Sequence, residues 1–361
     1  MRKAPTLLVS LLLAAMVLLT VNGCARKPTA EKPGPPTVVN PAPNPGSAGP
    51  APAPVPTTWQ QEAVSPFTGK KVSAELVKRR PLAVMIDNAP AARPQAGLNK
   101  ADLVYEVLVE GGITRFMAVF LESDSDFLGP VRSARHYFLD LALGLDAVYV
   151  HVGGSPQAYE EIPLLKVDNL DNMKVGPPFW RVSSRQAPHN LYTSTLKLRQ
   201  EMVGRKMEKE TVPSPAFTFG DKKSMGDRKV STVAIYYPGG YQGYYIDYHY
   251  EPGGDDFLRY IKTEPHRNET SGEQLRTRNI VIVFAETRPI PQDDAGRIDV
   301  NLVGAGKALV FSAGTMREAR WEKSPRRAPL KLIGGDGKSV PLAVGRTWIE
   351  VVPADTKVEV K

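Results

Sequence analysis

Between Ala25 and about Thr58 the chain reads ARKPTAEKPGPPTVVNPAPNPGSAGPAPAPVPTT. A stretch so rich in Pro, Ala and Gly cannot bury a core, and it is expected to be a semi-extended, disordered tether over residues 24–58. It confines any fold to what lies on either side. Residues 1–23 are too few for a domain. The body from about Trp59 to Lys361 is long enough for two.

The N-terminal side reads as an export signal. Arg2 and Lys3 precede the apolar run LLVSLLLAAMVLLTV, which ends at Val21-Asn22-Gly23-Cys24. A basic start, an apolar middle and a small-residue cleavage site mark a secretory signal over residues 1–23. Cys24 is the only cysteine, so no intramolecular disulfide is possible, and an odd cysteine in an exported chain needs another use. The Val21-Asn22-Gly23-Cys24 ending resembles the lipobox of bacterial lipoproteins, which implies an acyl chain such as palmitate on Cys24 at the new N-terminus. An uncleaved signal anchor is the alternative. Either way the body is expected on the extracytoplasmic face of the cell membrane, reached through the tether.

The formal charge is +8. Outside the cytoplasm this favours lipid head groups, wall polymers or acidic glycans as partners. Nucleic acid is not expected, because no basic run is interleaved with exposed aromatics.

Within the body the hydrophobic pattern changes character. PLAVMIDN (81–88) and AVYVHVGG (147–154) are short apolar runs, and YEVLVEGGITRFMAVFLE (105–122) places two alternating runs around Gly111-Gly112, a hairpin signal. Helices are expected from Pro130, after Ser155, and over about Ser194 to Lys209. This mixture predicts an α/β N-terminal domain with a mixed sheet, over residues 59–220. Beyond a polar lapse near Gly220–Asp227 the candidates are VSTVAIYY, GYYIDYHY, FLRYIKTE, NIVIVFAE, RIDVNLV, KALVFS and TWIEVV. They predict a smaller, mostly-β domain over 228–361, barrel- or sandwich-like.

Three groups of polar residues stand out. A two-residue turn at Gly111-Gly112 would set Glu106, Glu110 and Arg115 on one face of the hairpin, with Arg115 in reach of both glutamates. The helix expected from Pro130 would carry Arg132, Ser133, Arg135 and His136 in its first turn, where the helix dipole favours acids over cations. RVSSRQAPHNLY (181–192) adds His189 and Asn190 in a loop that its proline fixes. Asp87 and Asn88, and His151, end two strands and would join this crevice if those strands run parallel.

Two readings of the cations follow. Either Glu106 and Glu110 are their structural counter-charges, or a bound carboxylate, phosphate or sulfate shares them. A pair of glutamates is also the equipment of a glycan-cleaving enzyme, with Glu106 or Glu110 as general acid. Gly153-Gly154-Ser155 lacks the closing glycine of a nucleophile elbow, since Gln157 stands there. The five histidines show no paired metal-ligand spacing, so neither a metal centre nor a cofactor is expected.

RPQAGLNKADLVYEVLVEGGITRF, GPVRSARHYFLDLA, HVGGSPQAY and APHNLY, followed by RNIVIVFAE, the Trp-Glu-Lys at 321–323 and TWIEVV, resemble the YerB-like family of bacterial lipoproteins. The resemblance covers nearly everything after the tether. It implies a lipid anchor and paired N- and C-terminal domains. It draws attention to Glu106, Glu110, Arg115, Arg132, Ser133, Arg135, His136, His189 and Asn190, and implies no particular reaction. The function expected from all of this is a membrane-anchored protein that binds an anionic envelope ligand, a wall glycan or a peptide carboxylate, in an Arg/Glu/His-lined cleft. A glycan-cleaving enzyme and an envelope scaffold with a protein partner are the alternatives.

Overall fold

An 11-stranded mixed sheet runs through both halves of the chain. The computed structural model describes residues 61–209, 217–221 and 225–361. The signal segment, Cys24 and the tether lie outside the described residues. Across the sheet the strands follow the order 228–229, Thr315–Lys323, Gly304–Ser312, Asn279–Ala285, Thr347–Pro353, Leu103–Leu108, Thr114–Phe120, Leu82–Asp87, Val148–His151 and Asn169–Asp171. Lys331–Ile333 adds to the Thr315–Lys323 strand. The join between halves is the Thr347–Pro353 strand, parallel both to Asn279–Ala285 and to Leu103–Leu108.

The central strands are buried along their whole length, because both faces of the sheet are covered. One face carries Tyr105, Val107, Met117, Val119, Ile349 and Val351. After a short helix α1 (Ala74–Lys78), helices α2 (His136–Gly144) and α3 (Pro156–Leu164) pack there through Tyr137, Phe138, Leu141, Ala158 and Ile162. The other face carries Val84, Phe116, Ala118, Ile282 and Trp348, and a six-stranded sheet lies over it. That second sheet contributes Val233, Ile235, Ile246, Tyr248 and Phe257 to the same core. Helix α4 (Thr195–Gly204) joins this face through Leu198 and Met202. Each Val, Leu, Ile, Phe or Met side chain among these, taken out of water, adds about 1.5–3 kcal/mol.

Several local expectations are met. Ser155 caps α3 by accepting from the Ala158 amide at 3.2 Å, and Ser194 caps α4 by accepting from Lys197 at 3.3 Å. Among the described residues no helix is long and apolar enough to cross a membrane.

Three expectations are corrected. First, the hairpin turn holds three residues, Glu110-Gly111-Gly112, closed by Val109 N–H donating to the Ile113 carbonyl at 2.7 Å. The register therefore pairs Glu106 with Phe116 and Val107 with Arg115. A one-residue slip exchanges the faces of one strand, so Glu106 and Arg115 lie on opposite sides of the sheet. Second, the helix expected from Pro130 begins only at His136. Residues 128–134 are extended, since Leu128, Val131 and Ala134 form bridges to Thr193, Ile86 and Gly154. Backbone pairing with three neighbours outweighs the local helical pattern. Third, of the barrel- or sandwich-like forms expected for the C-terminal strands, a separate barrel is not formed among the described residues. These strands divide between the shared sheet and the second sheet. The TMREARWEK strand (Thr315–Lys323), absent from the sequence-based expectation, supplies the longest ladder of the shared sheet.

Candidate functional site

The residues singled out from sequence fall into two groups on opposite faces of the sheet. The first gathers at the end of the Leu82–Asp87 strand. Asp87 closes an otherwise apolar strand and is buried, yet its register partner is Arg115. Its Oδ2 lies 2.7 Å from His189 Nδ1 and 3.1 Å from Arg132 Nε, and its Oδ1 accepts from the Ala89 amide at 3.0 Å. The loop that carries His189 is held by Asn190. The Asn190 amide accepts from Arg181 at 2.6 Å and donates to the carbonyls of Val182 and Arg185, both at 3.3 Å. Asn190 thus fastens the loop that carries His189.

Glu110 stands beside this group. Arg135 grips both of its oxygens, and Arg115 Nη2 lies 3.9 Å away. Arg115 also donates to the Ser133 carbonyl at 2.7 Å. Burial pushes the Glu110 carboxyl up, but the Arg135 hydrogen bond and the charges of Arg135 and Arg115 outweigh it and hold the group down at about 2. His136 is set apart, with Nε2 3.0 Å from Asp299 Oδ1. Arg132 and Arg135 are therefore met by local acids, Asp87 and Glu110.

The second group lies inside the protein, between the shared sheet and the second sheet. Glu106 is fully buried. Its Oε1 accepts from Thr114 and Tyr244 at 2.6 Å each and from Asn88 at 3.2 Å, and its Oε2 accepts from Arg259 at 2.5 Å. Arg259, 1% exposed, also donates to Tyr248 at 2.6 Å, to Glu350 at 3.3 Å and to His266 Nδ1 at 3.1 Å. Its guanidinium carbon lies 4.6 Å from the centroid of the Trp348 ring. His266 accepts from Arg259 through Nδ1, so its proton sits on Nε2, 2.8 Å from Gln95 Oε1. Burial, then the charges of Arg259 and Arg93, push its pKa well below the usual histidine value, which keeps it neutral. Glu350, also fully buried, accepts from Tyr237 and Tyr248. Burial and the nearby Glu106 charge push its carboxyl up to about 8.

Neither glutamate has the properties of a general acid. Glu106 is walled off from solvent with four donors on its oxygens. Glu110 has its carboxyl held too low to carry a proton at neutral pH. His151 is likewise structural: its ring bonds the Gly153 carbonyl at 2.8 Å and Asn169 at 3.2 Å, and it is buried.

Sequence reasoning missed Asp87 as the centre of the first group, and Arg259 and Glu350 altogether. The signal for the latter two was present. In FLRYI, two-residue alternation puts Arg259 on the same face as Phe257 and Ile261, and in TWIEVV it puts Glu350 with Trp348 and Val352. A charged residue in register with buried apolar ones marks an internal pair.

A strand-rich protein whose two sequence regions share one sheet and enclose an ion network is the class these features define. Residues 67–208 match the N-terminal domain, and residues 233–349 the C-terminal domain, of the family described as a protein of unknown function, DUF3048. The chain belongs to that family. It is 37% identical over 293 residues to YerB of Bacillus subtilis (strain 168), a protein named as a lipoprotein, across 80% of this chain and 86% of that one. It is also similar to the crystal structure of the Bacillus subtilis YerB protein, with a TM-score of 0.73 at 33% identity, over 82% of this chain and 99% of that one.

Proposed function

We propose that the chain is a lipid-anchored protein of the extracytoplasmic membrane face, and that it binds an anionic envelope ligand beside Asp87. The anchor rests on the signal ending at Cys24, the lone cysteine and the tether after it. The name of the relative YerB is in keeping with it. The ligand reading rests on one observation. Asp87 is shared by Arg132 and His189, which leaves the terminal guanidinium nitrogens of Arg132 and Nε2 of His189 without a hydrogen bond among the described residues. Both side chains are partly exposed, at 26% and 21%. The guanidinium of Arg132 presents donors to solvent from a fixed base, which suits a carboxylate of a wall peptide or an acidic wall glycan. Glycan cleavage finds no support in Glu106 or Glu110.

The test is co-sedimentation of the full chain with purified peptidoglycan and wall polymer, with the supernatant read by mass spectrometry. The expected result is salt-sensitive pelleting without released fragments, weakened about tenfold by Arg132→Ala. Equal pelleting of Arg132→Ala, or no pelleting, contradicts the ligand reading and points to a protein partner in the envelope. Cys24→Ser is expected to release the chain from the membrane fraction, and a variant that stays membrane-bound contradicts the lipid anchor.

A further inference from the structure

The arginines nominated from sequence as anion binders each have a carboxylate beside them: Arg132 lies against Asp87, and Arg115 and Arg135 against Glu110. A different set of cations has none. Arg93 bonds only Asn88, at 3.0 Å to the amide oxygen and 2.7 Å to the carbonyl, and stacks 5.0 Å from the Tyr244 ring centroid. Lys262 bonds the Gln242 carbonyl, and Arg267 bonds the Gly272 carbonyl at 2.9 Å. None of the three has a carboxylate partner among the described residues.

These three cations line one cleft of about 480 Å³, with Pro94, Ile261 and Pro265 as its apolar surface. That volume lies within the range of small-molecule sites. Glu264 is the one carboxylate on the lining, and His266 is neutral, so three positive charges face one negative. The cleft lies between the two family regions: Arg93 and Pro94 belong to residues 67–208, the remaining lining to residues 233–349. Its base is fixed from below, because His266 bonds Gln95 and Arg259 in the buried network.

We infer that this cleft is a binding site for a small organic anion with an apolar body, an aromatic or branched carboxylate, whose charge meets Arg93, Lys262 and Arg267 while its body lies on Pro94, Ile261 and Pro265. An inorganic anion would satisfy the cations but leave the apolar surface wet. A neutral apolar molecule would leave three charges without a counter-ion. The site is separate from the one beside Asp87 and does not depend on it.

The experiment titrates 4-(trifluoromethyl)benzoate into the full chain in detergent and follows its ¹⁹F resonance. Saturable binding is expected, with acetate about tenfold weaker or more because it lacks the body. Lys262→Gln/Arg267→Gln, two exposed positions whose loss leaves the fold intact, is expected to weaken the arylcarboxylate at least about tenfold. Arg320→Gln removes an exposed charge elsewhere and is expected to change nothing, as is Arg132→Ala. The inference is overturned by no saturation up to about 10 mM, by acetate binding as tightly as the arylcarboxylate, or by binding that survives the double substitution.

Discussion

Arg259 Nη2 donates to Glu106 Oε2 at 2.5 Å, and that bond crosses from one family region to the other inside the protein. The arginine also reaches Glu350 on the strand that joins the two halves of the shared sheet. A buried ion cluster costs desolvation, so its presence is weak support for stability by itself. Its geometry instead fixes how the second sheet lies on the first. Glu106, Arg259 and Glu350 are each held by partners from more than one strand.

Removing the cation should be severe. Arg259→Met leaves the buried carboxyl groups of Glu106 and Glu350 facing each other without their common partner. The expected loss is about 3–5 kcal/mol, read from urea unfolding. A loss under about 1 kcal/mol would mean that the cluster relaxes or hydrates freely.

Stability should also depend on pH through Glu350. Its folded pKa, raised by burial and by Glu106 to about 8, lies above its ordinary value of 4.5. Between those values the folded protein holds a proton that the unfolded chain has lost. The contribution is therefore fully present below about 4.5 and is lost as pH rises through about 8. Glu350→Gln should flatten this fall, measured as the urea midpoint from about pH 5 to pH 9. An unchanged slope in the variant assigns the effect to another group.

At the acid end the sign reverses for Glu110. Arg135 and Arg115 hold it down at about 2 against the opposing effect of burial. Its contribution is present above the ordinary value of 4.5 and is lost as pH falls toward 2. Arg135→Ala should move the Glu110 carboxyl upward, visible in a carbon-detected NMR titration. A Glu110 titration that stays in place would show that Arg135 does not set it.

The hairpin turn should tolerate no side chain at Gly112. Its φ is +68°, and an added Cβ would lie 2.1 Å from the Gly239 carbonyl oxygen. The Tyr241 amide donates to the Gly112 carbonyl at 2.7 Å, so the 239–241 turn cannot move off without breaking that bond. Gly112→Ala is expected to cost about 1–3 kcal/mol from backbone strain, and more from the clash. Gly111, with φ +70° and open space around it, should show only the strain on Gly111→Ala.

The strands themselves were legible from sequence, because alternation and apolar runs survive in any context: TWIEVV, NIVIVFAE and YEVLVE all form the strands expected of them. The cap at Ser155 and the helix start near Ser194 were legible for the same local reason. What failed was set by long-range contact. The turn at 110–112 gained one residue through its bond between Val109 and Ile113, and that single step carried Glu106 away from Arg115. The Arg132 segment was drawn straight by bridges to Ile86 and Gly154, which no local pattern reveals. The pairing of residues 347–353 with 103–108, more than two hundred positions apart in sequence, is invisible to any reading of periodicity.

Residues 67–208 and 233–349 are held as one body by the shared sheet and the Glu106–Arg259–Glu350 cluster. Native-state hydrogen exchange across a urea series tests it most directly, comparing amides of the Leu82–Asp87 strand with those of the Asp256–Ile261 strand. The account predicts that both strands lose protection in one shared transition, and that Arg259→Met lowers both by the same amount. Two separate transitions, with only the second strand affected by Arg259→Met, would contradict it.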